Sequence, residues 1–173
     1  MKKGMNSKEK AFTERMKGRQ PVIEIHGHPF FIEARWGLLT PKGNFLSKGI
    51  NLNDMCEFSP GTYRFYYDTN RMTEAVIRKD IIELPKNVVL IEIPSLLALD
   101  PVMMAKRWDE DPRRYLNEYP LKMYNVAKVI PIKKSPLVEL VKKNLEKIKA
   151  LQSPRQRIIK SSSPDRKKKG KGL

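Results

Sequence analysis

The sequence predicts an α+β fold: a small, mainly antiparallel sheet with a C-terminal amphipathic helix packed on one face and disordered basic termini. Three stretches carry this expectation. Residues 21–45 alternate apolar and polar side chains around both histidines, residues 88–93 hold five apolar residues in six, and residues 137–151 repeat apolar residues at helical spacing. A period of two places successive side chains on opposite faces of a strand, whereas a period near 3.6 gathers them on one face of a helix.

In chain order, Ser7 is expected to cap a short helix that runs to Lys17 and stops at Gly18, with Phe12 and Met16 four apart on one face. So narrow an apolar stripe needs docking to persist. Ile23 and Ile25 then alternate with Glu24 and His26, and Phe30, Ile32, Ala34 and Trp36 alternate with Phe31, Glu33 and Arg35. This gives strands near 22–26 and 30–38, joined by a turn at Gly27, a residue free to take positive φ. The second strand should end at Gly37 to Pro41, with Thr40-Pro41-Lys42-Gly43-Asn44 as the next turn.

Residues 45–58 read as loop with room for one helical turn, since Asn51, Asn53 and Asp54 are cap and turn formers. Tyr63-Arg64-Phe65-Tyr66-Tyr67 is strongly β-prone; a strand at 62–67, turned by residues 68–71, should pair with a second at 73–78. Leu84-Pro85-Lys86-Asn87 breaks the chain before residues 88–93, which read as a central strand buried on both faces and ended by Pro94. Asp100-Pro101 is a cap followed by proline at the first helical position, which predicts a helix over 102–108. Asp111-Pro112 repeats the signal for a short helix to Tyr119, and residues 124–132 read as a last strand. Ser135-Pro136 opens the helix over 136–151, in which Leu137, Leu140, Val141, Leu145, Ile148 and Leu151 form the stripe.

Charge separates the chain into parts. The net charge is +16. Residues 1–20 hold seven Lys or Arg against Glu9 and Glu14, and residues 152–173 hold eight against Asp165, so the ends contribute +5 and +7 and residues 21–151 only +4. The expected organisation is a basic N-terminal arm at 1–20, one α+β domain at 21–151 and a disordered basic tail at 152–173. Hydrophobic residues are 40% of the chain, enough for a domain core once the polar ends are set aside. Cys56, the single cysteine, excludes an intramolecular disulfide and reads as a small buried apolar residue in a reducing compartment. No apolar run approaches the roughly 18 to 20 residues of a membrane span, and MKKGMNSKEK has no signal-peptide apolar region. The expectation is a protein of the cytoplasm, or of the nucleus in a eukaryotic cell, with no membrane partner.

Candidate chemistry is sparse. Glu24, His26 and His28 recur at period two, as a two-histidine, one-carboxylate metal site needs, but a turn at Gly27-His28-Pro29 breaks their alignment and leaves them a polar hairpin end. Cys56 has no local signature of a nucleophile. Tyr63, Phe65 and Tyr67 offer a stacking surface for single-stranded bases with Arg64 reaching phosphate, although one face of that strand must be core. The acidic run Asp109-Glu110-Asp111 reads as a solvated helix start. No glycine-rich phosphate loop, GxSxG elbow, HExxH or paired-cysteine zinc pattern occurs.

The basic ends remain the main signal, because lysine and arginine clusters release counterions on binding nucleic acid. The expected function is that of a non-enzymatic accessory protein associating with nucleic acid, or with a nucleic-acid-containing assembly. The residues expected to carry it are Lys2, Lys3, Arg155, Arg157, Lys160, Arg166, Lys167, Lys168, Lys169 and Lys171, with Arg64 on the aromatic strand. No catalytic residue, metal ligand or cofactor is expected. The rival readings are a protein-interaction component whose ends order on a partner, and a metal-dependent enzyme built on the His26/His28 hairpin.

Overall fold

Ile25 faces His28 across the first hairpin, which leaves His26-Gly27 as a two-residue loop with φ of 50° and 80°. Two successive positive φ values make a type I′ turn, whose twist matches that of the strands it joins. The structure, a computed structural model, describes residues 6–44 and 46–160, with side chains through Gln152. In chain order the elements are α1 (Ser7–Met16), β1 (Val22–Ile25), β2 (His28–Glu33), β3 (Leu38–Pro41), β4 (Ile50–Asn51), β5 (Glu57–Ser59), β6 (Thr62–Asp68), β7 (Thr73–Glu74), β8 (Val88–Pro94), α2 (Leu96–Leu99), α3 (Pro101–Arg107), β9 (Tyr124–Val126), β10 (Lys128–Pro131) and α4 (Leu137–Lys160). The fold is α+β.

The expected single sheet is two. The first has the order β4-β3-β2-β1-β9, an antiparallel meander with β9 added in parallel to β1. The second has the order β10-β8-β6-β5, antiparallel throughout, with β7 paired to the end of β6. Both sheets turn a face into one core: Ile23, Ile25, Phe30 and Ile32 from the first meet Phe65, Tyr67, Ile91 and Ile93 from the second. Phe30 and Tyr67 touch edge to face across it, with ring centroids 6.2 Å apart. Burying each such side chain contributes about 1.5–3 kcal/mol, which is what holds two short sheets together.

The strand expected at 124–132 divides because its two halves serve different sheets. Its Tyr124–Val126 half pairs with β1, Ala127 is buried and donates its N–H to Glu24 O at 2.8 Å, and its Lys128–Pro131 half pairs with β8. β8 lies between β10 and β6 with Val88, Leu90, Ile91 and Ile93 buried, as its apolar run predicts.

Other boundaries shift for local reasons. Asn6, not Ser7, caps α1, its side-chain oxygen accepting from Lys8 N at 3.4 Å. The strand expected at 30–38 ends at Glu33, and residues 38–41, expected as turn, are β3; Pro41 sits at its last position, where a missing N–H is tolerated. The strand expected at 73–78 shrinks to the two residues of β7. Residues 112–119 form turns instead of a helix, because Asp111 Oδ1 accepts from Arg113 N at 2.7 Å and offers the backbone an alternative.

α3 starts as expected: Asp100 Oδ1 accepts from Met103 N at 3.1 Å and Pro101 takes the first helical position. It ends with Asp109 at φ 57°, the Asp109 and Glu110 N–H groups donating back to Lys106 O and Ala105 O. Asp109-Glu110-Asp111 therefore closes a helix by a Schellman motif instead of opening one. α4 packs through its first turns, where Leu137 is buried and Asn144 Nδ2 donates to Lys79 O and Ile81 O at 2.9 and 2.7 Å. Leu145, Ile148 and Leu151 of the same stripe stay on the surface, and the helix continues to Lys160 where a tail was expected from residue 152. No helix among the described residues is long and apolar enough to cross a membrane.

Candidate functional site

β2 and β3 are joined by residues 34–37, and this turn is tied down on every side. Trp36 N–H donates to Glu33 O at 3.0 Å, Trp36 O accepts from Asn53 Nδ2 at 2.7 Å, and Gly37 O accepts from Leu52 N at 2.8 Å. Gly37 has φ 67°, and a Cβ there would lie 2.3 Å from Asn53 Oδ1, so only glycine fits. The outcome is a fixed backbone that holds Arg35 and Trp36 outward: the Trp36 side chain is 62% exposed, with the Arg35 guanidinium 5.3 Å from its ring centroid.

The last turn of α3 completes the patch. Arg107 Nη1 donates to Ala34 O at 3.4 Å, which bridges α3 to the turn, and Lys106 stands beside it. Arg35, Trp36, Met103, Lys106 and Arg107 line a cavity of 610 Å³. Among the described residues no carboxylate pairs with Arg35, Lys106 or Arg107. Glu33 lines the adjoining cavity with Arg35 and Trp36, and Lys106 acts at longer range on the Asp100 carboxyl. Arg107 also lines a second cavity, of 540 Å³, with Trp108 and Tyr63; Trp108 is 47% exposed and meets Tyr115 edge to face at 5.7 Å.

The position of α3 is set by a buried ion pair. Arg15 of α1 reaches Asp100 with Nε 2.9 Å from Oδ2, and neither side chain sees more than a trace of solvent. Burial pushes the Asp100 carboxyl above its ordinary range, while Arg15 and the Met103 N–H pull against that shift. Asp100 thus caps α3 and anchors α1 with the same carboxylate. Arg113 adds a forked contact to Glu9 at 2.8 and 3.1 Å and stacks on Phe12 at 3.9 Å, on the side of α1 where Phe12 was expected to dock.

The residues expected to bind nucleic acid fall into three groups. Lys2, Lys3, Arg166, Lys167, Lys168, Lys169 and Lys171 lie outside the described residues. Arg155, Arg157 and Lys160 lie on the last turns of α4. Arg64 is in β6, where Nη2 sits 2.5 Å from Glu92 Oε2 and the guanidinium stacks 3.5 Å from the Phe58 ring centroid. Arg64, chiefly through that hydrogen bond, and then Lys128 hold the Glu92 carboxyl below its usual value. Arg64 is therefore already paired, and Tyr63, Phe65 and Tyr67 turn to the core.

His26 and His28 are exposed at the hairpin end, and Glu24 is engaged by the Tyr124 hydroxyl. Among the described residues no three His, Cys, Asp or Glu side chains are grouped to hold a metal ion. Cys56 is exposed rather than buried, because the chain between Leu52 and Glu57 runs over the outside.

Alternation alone puts Trp36 on a core-facing side of its strand and gives no reason to single out Lys106 or Arg107. A signal was present: the dipeptide Arg-Trp occurs at 35–36 and again at 107–108, and these are both tryptophans of the chain. Compared with family models, curated proteins and solved structures, the chain matches none.

Proposed function

We propose that this protein is a non-enzymatic accessory protein of the cytoplasm, or of the nucleus in a eukaryotic cell, that associates with nucleic acid or a nucleic-acid-containing assembly. The observation that carries the reading is the charge distribution: twelve of the sixteen net positive charges belong to residues 1–20 and 152–173. Such ends attract a polyanion by counterion release, with little dependence on its sequence. The open cations Arg35, Lys106 and Arg107 extend the same chemistry onto the folded surface. Protein purified without nuclease should carry nucleic acid, and nuclease-treated protein should rebind it with an affinity that falls steeply with salt. Binding that is absent at low salt overturns the reading.

A second reading has its own support. Leu145, Ile148 and Leu151 leave an apolar stripe open on the distal part of α4, which suits a component that docks on a protein partner. Nuclease-treated protein that keeps a bound protein and rejects oligonucleotides would favour it.

A further inference from the structure

Resting on the nucleic-acid reading, we propose that the Trp36 patch is a stacking site for an unpaired base of a single-stranded nucleic acid. Arg35, Lys106 and Arg107 would neutralise the flanking phosphates. Three features argue for it together. The indole is open, its backbone is fixed by Asn53 and Gly37, and the cations beside it have no acidic partner among the described residues. A fixed backbone leaves only the side-chain torsions of Trp36 to be ordered on binding, which lowers the cost of using its contact area.

The pairing of indole and cations selects the ligand. In a duplex the base faces are already stacked on one another, so a duplex offers the patch only phosphates and leaves the indole in water. A single strand offers both a π face and a phosphate to the same cavity. An acidic peptide would pair with the three cations and leave the indole with nothing planar to stack on. Met103 is the one aliphatic-type side chain lining the cavity, too little apolar surface for a lipid-facing belt. The second tryptophan lines another cavity, to which Arg107 also contributes.

The test uses the full chain carrying Trp108→Phe, so that Trp36 is the sole tryptophan fluorophore. A single-stranded oligonucleotide should quench Trp36, while a duplex with the same number of phosphates should bind without comparable quenching. Trp36→Ala should weaken single-strand binding about 5- to 150-fold, the range for removal of one base–aromatic stack, and leave duplex binding nearly unchanged. Trp36→Phe keeps a π face and should retain most of the affinity. Arg35→Glu with Lys106→Glu should weaken both ligands and flatten the salt dependence. Because Trp36 is exposed, its variants should melt like the parent, and melting confirms that each is folded.

A parent that binds single strands no better than Trp36→Ala does sinks the stacking site and leaves the function reading standing. Equal quenching by the duplex also sinks it. Quenching and competition by a polyglutamate peptide as effective as by the oligonucleotide would make an acidic protein the ligand instead. A parent that binds no nucleic acid at low salt removes both readings together.

Discussion

Tyr67 shows how much one atom decides at the scale of a residue. Its ring is fully buried against Phe30, and its hydroxyl has no hydrogen-bond partner among the described residues. An unsatisfied buried polar atom costs about 1–3 kcal/mol, so Tyr67→Phe should leave the melting temperature unchanged or raise it. The same burial, with a smaller contribution from Asp68, pushes the phenol up to about 12. Between an ordinary tyrosine pKa of about 10 and that raised value, the unfolded chain releases the proton first, so stability is full below this window and is lost as pH rises through it. Tyr67→Phe should remove that part of the alkaline loss, which thermal melts at a series of alkaline pH values would reveal. A parent and variant that fall together from neutral to alkaline pH would mean the hydroxyl finds a partner or water. The sequence could suggest that Tyr67 faces inward but could not show its hydroxyl alone, because satisfaction depends on atoms brought near from other strands.

At the scale of elements, legibility followed how local the cause is. β8 and the start of α3 were readable because an apolar run and an Asp-Pro pair act within a few residues. The division of residues 124–132 between two sheets was not, since Ala127 looks ordinary until Glu24 and β8 are placed on either side of it. The docking of α1 was hidden for a related reason: Arg15, which in sequence reads as one more basic residue of an arm, is paired with Asp100 eighty-five positions away. Removing one member of a buried pair leaves a charge without compensation, so Arg15→Ala should cost about 3–5 kcal/mol. Replacing both, as in Arg15→Met with Asp100→Asn, should cost much less, because no buried charge remains and asparagine can still cap α3. The pH dependence has a definite sign. A carboxyl whose folded pKa is raised takes up a proton more readily when folded, so its burial destabilises the fold less as pH falls towards 3.8. Arg15→Ala removes the two Arg15 effects that hold the carboxyl down, so the variant's carboxyl is raised further than the parent's. The gap between them should therefore narrow as pH falls from neutral, which denaturant melts across the acid range would measure. A gap that stays constant would place the Asp100 charge in contact with solvent.

At the scale of the whole molecule, the candidate site divided in the same way as the fold. Charge totals were legible at once, because they need no coordinates, whereas the Trp36 patch required a turn from residues 34–37 and the end of α3 to meet through Arg107 and Ala34. The structure also changes where the tail should be cut. Because α4 runs to Lys160, a deletion from residue 152 would remove helix as well as charge, while deleting residues 161–173 leaves every described element whole. That deletion removes Arg166, Lys167, Lys168, Lys169 and Lys171 against Asp165, a net of four of the sixteen positive charges. It should melt like the parent. If these residues hold nucleic acid, the slope of log affinity against log salt should become shallower by about 0.7 to 0.9 for each phosphate that the shortened chain no longer neutralises, and affinity should fall about equally for unrelated sequences. Quenching of Trp36 at saturating single strand should survive, since the folded patch is untouched. Parent and deletion variant with the same affinity and slope would move the binding charge to the arm or the patch. If neither binds at low salt, the open stripe of Leu145, Ile148 and Leu151 becomes the surface to pursue, because a protein partner is then the ligand class that the exposed chemistry still fits.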